Sequence, residues 1–458
     1  MNTTVGRNRT DFHHWDEEVQ IDTARHTTIV GTTGAGKSTV MRETIAAEIA
    51  AGHGVTVIDP HGQLIDDVLD DIPENRKNDV IYWDPSDPEL AVVVNLLETA
   101  GHLTPKIADE AAKIVQGVWP DAWGPQTDYL FRNFTKAVLE VELKPTFLHV
   151  FKAYMDPDYR EFLHERVTDP AVRSFFDTYE DEWDKRQQEQ ASAPGKNKVD
   201  TFMQWPLRNV VSGRTGLDFR RILDNSQILL CRFSKGRIGP TAGAFLGSVV
   251  IAKILFAALE REHTPHRPPH RVFIDEAGSF LCGTAHEQLL TEARKYGVSL
   301  TLGFQFVAQL DERLQAAVFG NSGSLLIGRV NAKDAEMLAD QVGLPDGKTL
   351  TQLPNFGWYV RAVRNGIPSD PIRMEGLPPR KPQHRKEDRA QKIIARSRAR
   401  HGTPIKALDE HVSKFLGGTR EPAVRNKGKR SPQNRSNRNG GRSQGPPRKA
   451  RGNRPAIA

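Results

Sequence analysis

The chain has 458 residues, 63 Lys plus Arg against 57 Asp plus Glu, a formal net charge of +6 and 38% apolar residues. That length exceeds one compact core, and two cysteines, Cys231 and Cys282, exclude a disulfide framework and a zinc site built from cysteine alone. The charge is uneven: residues 380–458 hold 23 basic and 5 acidic side chains, the first 379 hold 40 basic and 52 acidic, and such asymmetry points to a polyanionic partner.

Residues 1–25 are polar and contain no apolar h-region, so an N-terminal arm without a secretory signal is expected. A strand-like run, His26-Thr-Thr-Ile-Val30, leads into Gly31-Thr32-Thr33-Gly34-Ala35-Gly36-Lys37-Ser38-Thr39. A helix follows, with Val40, Met41, Ile45 and Ile49 at helical spacing. Strands are expected at 55–58 and 79–83. The succession opens an α/β parallel sheet.

Between 101 and 205 helical segments dominate, at 105–118, 127–141, 146–154 and 172–190, followed by a loop or linker at 193–198. Strands return at 227–233, 270–274, 298–304, 324–329 and 358–363. The apolar stretch 242–259 is interrupted by Lys253 and reads as a buried or amphipathic helix rather than a membrane span. The expected organisation is an α/β core at 26–100 and 206–376, an all-helical insertion at 101–205, a basic helical linker at 377–416 and a basic tail at 417–458. Residues 422–458 carry 11 basic and no acidic side chains without apolar periodicity, so the tail is expected to be disordered.

The segment 31–38 fits G-x-x-x-x-G-K-[ST] at every fixed position, between a strand and a helix. Its glycines let backbone N–H groups and the helix N-terminus wrap phosphates, Lys37 is expected to reach the β- and γ-phosphates of ATP, and Ser38 to ligate Mg²⁺. A second strand ends in Asp275-Glu276. Asp275 is expected to hold Mg²⁺ through water, and Glu276 to act as general base on the attacking water. Gln305 ends the next strand, at the carboxyl edge where ligands of open α/β sheets collect. An accidental glycine turn, a helix-capping Asp-Glu pair and a surface Gln are the bland readings of the three motifs. The first two lose weight because the motifs occur together. The fold expected is a P-loop NTPase, RecA-like, with a parallel-dominated sheet flanked by helices.

In this order the residues resemble the FtsK–HerA superfamily of hexameric DNA-pumping ATPases, with the greatest similarity to the TraG/TraD-type coupling ATPases of conjugation and type IV secretion. The resemblance rests on residues 26–39, Val57-Ile-Asp-Pro-His-Gly62, Trp123-Gly-Pro125, Phe233-Ser-Lys-Gly-Arg-Ile-Gly239 and the block 292–343, and it covers about residues 24–365. It implies a sensor role for Gln305 and a trans-acting arginine finger at Arg294, with Arg329 the weaker candidate. It also implies DNA as partner, a homo-hexamer, and an associated relaxase, secretion channel, capsid or nuclease. Coupling proteins of this kind usually carry N-terminal membrane helices, whereas about 25 polar residues precede the first strand here. A cytoplasmic motor, recruited to a membrane through a partner, is therefore expected. Alternatives left open are viral genome packaging, a nucleotide-gated DNA-binding adaptor, a DNA-end-processing motor and a motor for protein substrates.

The basic tail, with Arg425, Lys427, Lys429 and Arg430, offers sequence-independent phosphate contacts, or else a solubilising extension. Lys235 and Arg237, in a Gly-containing loop, are candidates for a channel lining, with Lys196 and Lys198 weaker ones. No histidine spacing suggests a metal.

Overall fold

Buried β-branched and aliphatic runs build the centre of the molecule. In the computed structural model, which describes residues 2–10, 16–98, 104–308, 310–364, 367–378 and 387–417, two strands come first, β1 (Asn2–Asn8) and β2 (Glu18–Asp22). β3 (His26–Val30), β4 (Gly54–Asp59), β5 (Val80–Trp83) and the short β6 (Leu90–Ala91) follow. After the helical region come β7 (Ile228–Arg232), β8 (His270–Ile274), β9 (Val298–Phe304) and β10 (Ser322–Ile327). The chain closes with β11 (Gly357–Arg364), β12 (Ile367–Pro368), β13 (Ile372–Gly376) and β14 (Thr403–Pro404).

Seven strands pair in parallel in the order β10-β3-β9-β8-β4-β7-β5. All residues of β3, β4, β8 and β9 are buried, as expected of a sheet covered on both faces. Alternation still sorts the side chains: Val30, Ile58 and Ile274 join one core, Ile29, Val57 and Phe273 the other. Helices α1 (Lys37–Ala50) and α2 (Gln63–Asp71) cover the second face. The fold is the expected one: a mixed, mostly parallel sheet with flanking helices.

Beyond β10 the sheet turns antiparallel through β11, β13, β1 and β2. Residues 2–8 and 18–22 therefore extend the sheet by two strands, with β2 at its edge, rather than forming a free arm. Val5, Val19 and Ile21 are buried in the second core, a period-2 pattern hidden among polar neighbours.

Helices Thr104–Val118, Pro125–Val141, Phe147–Met155, Pro157–Arg166, Pro170–Asp177 and Lys185–Phe202 occupy the region between β6 and β7. The last runs through 193–198, where a loop was expected, with Pro194 inside it. These helices share one apolar core with the first face of the sheet. The join is aromatic: Phe245 lies 4.8 Å from Phe202 and 5.9 Å from Phe147, ring centre to ring centre. Phe245 belongs to Pro240–Leu259, long and apolar enough by length and composition to cross a membrane, yet 83% of its apolar window is buried inside the protein. Its Lys253 is satisfied by donating to the Glu98 carbonyl at 2.5 Å.

Residues 387–417 of the basic stretch after β13 pack against the rest of the protein. Helix Glu387–His401 sets Ile393 into the second core, and Ser397 Oγ accepts the Tyr82 N–H at 2.7 Å. β14 pairs with β6, and helix Ile405–Gly417 buries Val412 in the first core. Arg425, Lys427, Lys429 and Arg430 lie outside the described residues.

Candidate active site

Gly31 begins the turn from β3 to α1. The Gly31 N–H donates to the Phe304 carbonyl at 3.1 Å, and Thr32 donates through N and Oγ1 to the Arg329 carbonyl at 2.8 and 3.1 Å. The loop is thus tied to β9 and to the end of β10. Gly34 and Gly36 take φ of +81° and +100°, the left-handed region where a side chain costs strain. A Cβ on Gly36 would also sit 2.6 Å from the Phe356 ring. Phe356 itself holds φ +62° and donates its N–H to the Ala35 carbonyl at 3.2 Å. α1 starts at Lys37 without a side-chain N-cap, so its first turn offers N–H donors and positive dipole to an anion.

The Lys37 side chain is buried and its ammonium donates to the Gly31 carbonyl at 2.7 Å. Burial pushes its pKa down, against the pull of Asp275 and Glu276. An anion bound in the loop would replace the lost hydration. Ser38 Oγ donates to Asp275 Oδ2 at 3.4 Å. Asp275 lies just past β8, 6% exposed; burial raises its pKa, the Asp59 charge raises it further, and Lys37 opposes them. A buried carboxyl beside a second carboxylate and a serine hydroxyl suits a divalent cation, whose charge offsets both. Asp59 ends β4 and accepts the His61 and Ile65 N–H groups at 2.8 and 3.2 Å, which fixes the turn into α2.

Glu276 holds φ +47° and ψ +52°, a left-handed backbone for a non-glycine residue. Its carboxylate meets His61 Nε2 at 2.9 Å and Lys235 Nζ at 3.0 Å. Burial alone raises its pKa, but the His61 and Lys235 hydrogen bonds outweigh burial and hold it below the usual range. Gln305, directly after β9, donates to Thr33 Oγ1. A cavity of about 200 Å³ lies between Glu276 and Gln305, lined also by Lys235, Ser279 and Phe306.

The fold therefore brings Gly31–Ser38, Asp275, Glu276 and Gln305 to the carboxyl edges of β3, β8 and β9, with Thr39 half-buried in the first turn of α1. Arg329 contributes its carbonyl to the same loop. Arg294 does not join them. It is exposed on the turn before β9, and its charge acts on His26 at the start of β3, the opposite edge of the sheet. Lys235 lies on the short helix Lys235–Ile238 and bonds Glu276 instead of projecting from a free loop. Arg237, beside it, is exposed and 3.6 Å from Asp84. Lys196 and Lys198 sit on the helix Lys185–Phe202. Sequence reasoning gave no site role to His61 or Phe356. The Asp59-Pro-His61-Gly62 run at a strand end was the available signal for His61.

Residues 15–119 match the family model of the central domain of helicase HerA, and residues 269–352 match the TraM recognition site of TraD and TraG. Two separate segments of the chain are thus similar to ATPases of the HerA and TraG/TraD kind. Solved structures of similar fold include TrwB, the bacterial conjugative coupling protein: the unbound form is 17% identical, covers 83% of this chain and 94% of its own, and has a TM-score of 0.61. The plasmid coupling protein TrwB with ADP and Mg²⁺ is 18% identical over 79% of this chain and 87% of its own, at a TM-score of 0.57. VirB4 of Thermoanaerobacter pseudethanolicus is 16% identical over 82% and 96%, at a TM-score of 0.57. At such identities the likeness to these structures is one of fold. No curated protein matches it by sequence.

Proposed function

We propose that the chain is a DNA-dependent ATPase that works as a ring-shaped DNA translocase, a coupling motor of conjugative or secretion type. The observation that carries the reading is the convergence of Lys37, Ser38, Asp275, Glu276 and Gln305 on one sheet edge, beside an uncapped helix N-terminus. ATP binds with its phosphates in the loop 31–38, contacted by backbone N–H groups and by the Lys37 ammonium. Mg²⁺, when bound, is held by Ser38 and through water by Asp275, and it offsets phosphate charge.

A water oxygen attacks the γ-phosphorus while its proton passes to the Glu276 carboxylate. The bond from phosphorus to the bridging oxygen breaks and ADP leaves. Gln305 orients the water or contacts the γ-phosphate. Arg294, on the far edge of its own protomer, acts in trans on a neighbour's nucleotide, so the site is complete only in a ring, which we take to be a hexamer. The match to the TraM recognition site supports an accessory protein of the TraM kind as a partner.

Phosphate release from radiolabelled ATP, with and without DNA, tests this reading. Hydrolysis that rises with DNA and falls about 10²-fold or more in Glu276→Gln is expected, the usual size for a lost general base. Undiminished hydrolysis in that variant, or indifference to DNA, overturns the reading.

A further inference from the structure

Glu276 is positioned by groups from two other strands. His61 follows β4 and Lys235 follows β7, both on the side of β8 away from the phosphate loop, which β9 separates from β8. The Lys235 ammonium also donates to Ser279 Oγ at 2.9 Å. Its backbone N–H is tied to the Pro60 carbonyl at 2.9 Å, so the His61 turn and the Lys235 turn are joined by their main chains. Both carboxylate oxygens are thereby engaged by groups that follow β4 and β7 rather than by the phosphate loop. Lys235 and Arg237 share one four-residue helical turn; the Lys235 side chain keeps 31% of its exposure and that of Arg237 60%. This turn runs straight into the helix Pro240–Leu259, whose Phe245 anchors the helical insertion.

We propose that His61 and Lys235 are positioning residues that latch Glu276 at rest, and that DNA phosphate binding at the Lys235–Ile238 turn releases it by competing for the Lys235 ammonium. This rests on Glu276 being the general base. It gives the DNA dependence a physical origin: one cation serves either the carboxylate or the polyanion. A partly exposed pair of this kind is worth little in stability, which suits a contact that must break in every cycle.

The test uses the full chain and double-stranded DNA. Lys235→Met is expected to raise DNA-free turnover about threefold, the scale of one partly exposed ion pair, and to abolish most stimulation by DNA. Lys235→Arg restores the low basal rate and the stimulation. The charged and titratable groups facing Glu276 are Lys235, His61, Asp275 and Lys37. A protein merely loosened by the substitution does not show faster turnover that Lys235→Arg reverses. His61→Ala removes the other half of the latch and changes the same quantities in the same direction. If Lys235→Met and His61→Ala both keep the wild-type basal rate while Glu276→Gln is inactive, the latch is refuted and the catalytic reading stands. If Lys235→Met lowers turnover and Lys235→Arg does not restore it, the latch is likewise refuted. An active Glu276→Gln removes both readings together.

Discussion

At Glu276 and Phe356 the backbone sits at φ +47° and +62°, conformations that cost a non-glycine residue on the order of 1–3 kcal/mol each. Both residues flank the phosphate loop, where surrounding bonds hold them: the Asp275 carboxylate accepts the Glu276 N–H, and the Ala35 carbonyl accepts that of Phe356. Gly36 depends on the same crowding. Gly36→Ala combines a forbidden φ with a Cβ driven into the Phe356 ring. Loss of nucleotide binding is expected, read with a fluorescent ATP analogue, with a fall in stability on the order of 1–3 kcal/mol in denaturant titration. Wild-type affinity in that variant removes the argument that the loop needs its left-handed turn.

At the scale of elements, β3, β8 and β9 are held in register at their amino ends by a buried polar cluster. Glu48 of α1 accepts from Thr23 Oγ1 at 2.6 Å and from Arg271 Nε at 3.1 Å, and it pairs with His53 Nδ1 at 2.6 Å. Arg271 reaches on to Ser299 Oγ at 3.2 Å, so one carboxylate links α1, β8 and β9. Glu48→Ala leaves the Arg271 guanidinium buried without its counter-charge, which typically costs about 3–5 kcal/mol. A drop of that size in unfolding free energy is expected, measured by denaturant titration. A change under about 1 kcal/mol means that Ser299 alone satisfies the arginine.

Over the whole molecule, four buried histidines set a common pH response. Burial pushes His26, His149 and His286 down to about 4 and His270 to about 3. Arg294 adds to the effect at His26, Arg261 and Arg271 at His270, while Glu142 partly opposes it at His149. Their folded values lie below the ordinary value of about 6.5, so in that window the unfolded chain binds more protons. Stability is therefore full above pH 6.5 and falls as pH drops towards 4, by up to ~1.4 kcal/mol per pH unit for each histidine. Denaturation midpoints at pH 7.5, 6 and 5 check this, and a flat profile contradicts it. The C-terminal region divides at this scale as well. Because residues 387–417 pack on both cores, removal of 418–458 is the truncation that spares the fold. It is expected to weaken DNA binding and flatten its salt dependence with basal ATP hydrolysis intact. Loss of basal hydrolysis runs against a purely electrostatic tail.

The sequence by itself determined what depends on local order. The motif at 31–38 and the Asp275-Glu276 pair needed only their spacing and flanking strands, because each is a strand end turning into its next element. Strands such as 270–274 and 298–304 were legible because apolar residues concentrate in them, Val272-Phe273-Ile274 in the first and Val298, Leu300, Leu302 and Phe304 in the second. The tertiary structure alone decided what depends on partners distant in the chain. Residues 2–8 and 18–22 became strands because β13 offered an edge, and their three buried apolar residues do not announce this locally. The helical region shares its core with the sheet because Phe245 meets Phe202 and Phe147. Lys235 reads in sequence as a loop cation, yet the pairing of β7 with β4 and of β4 with β8 brings it to Glu276. A cation's neighbour across three strands is set by strand order, and strand order is a property of the folded sheet.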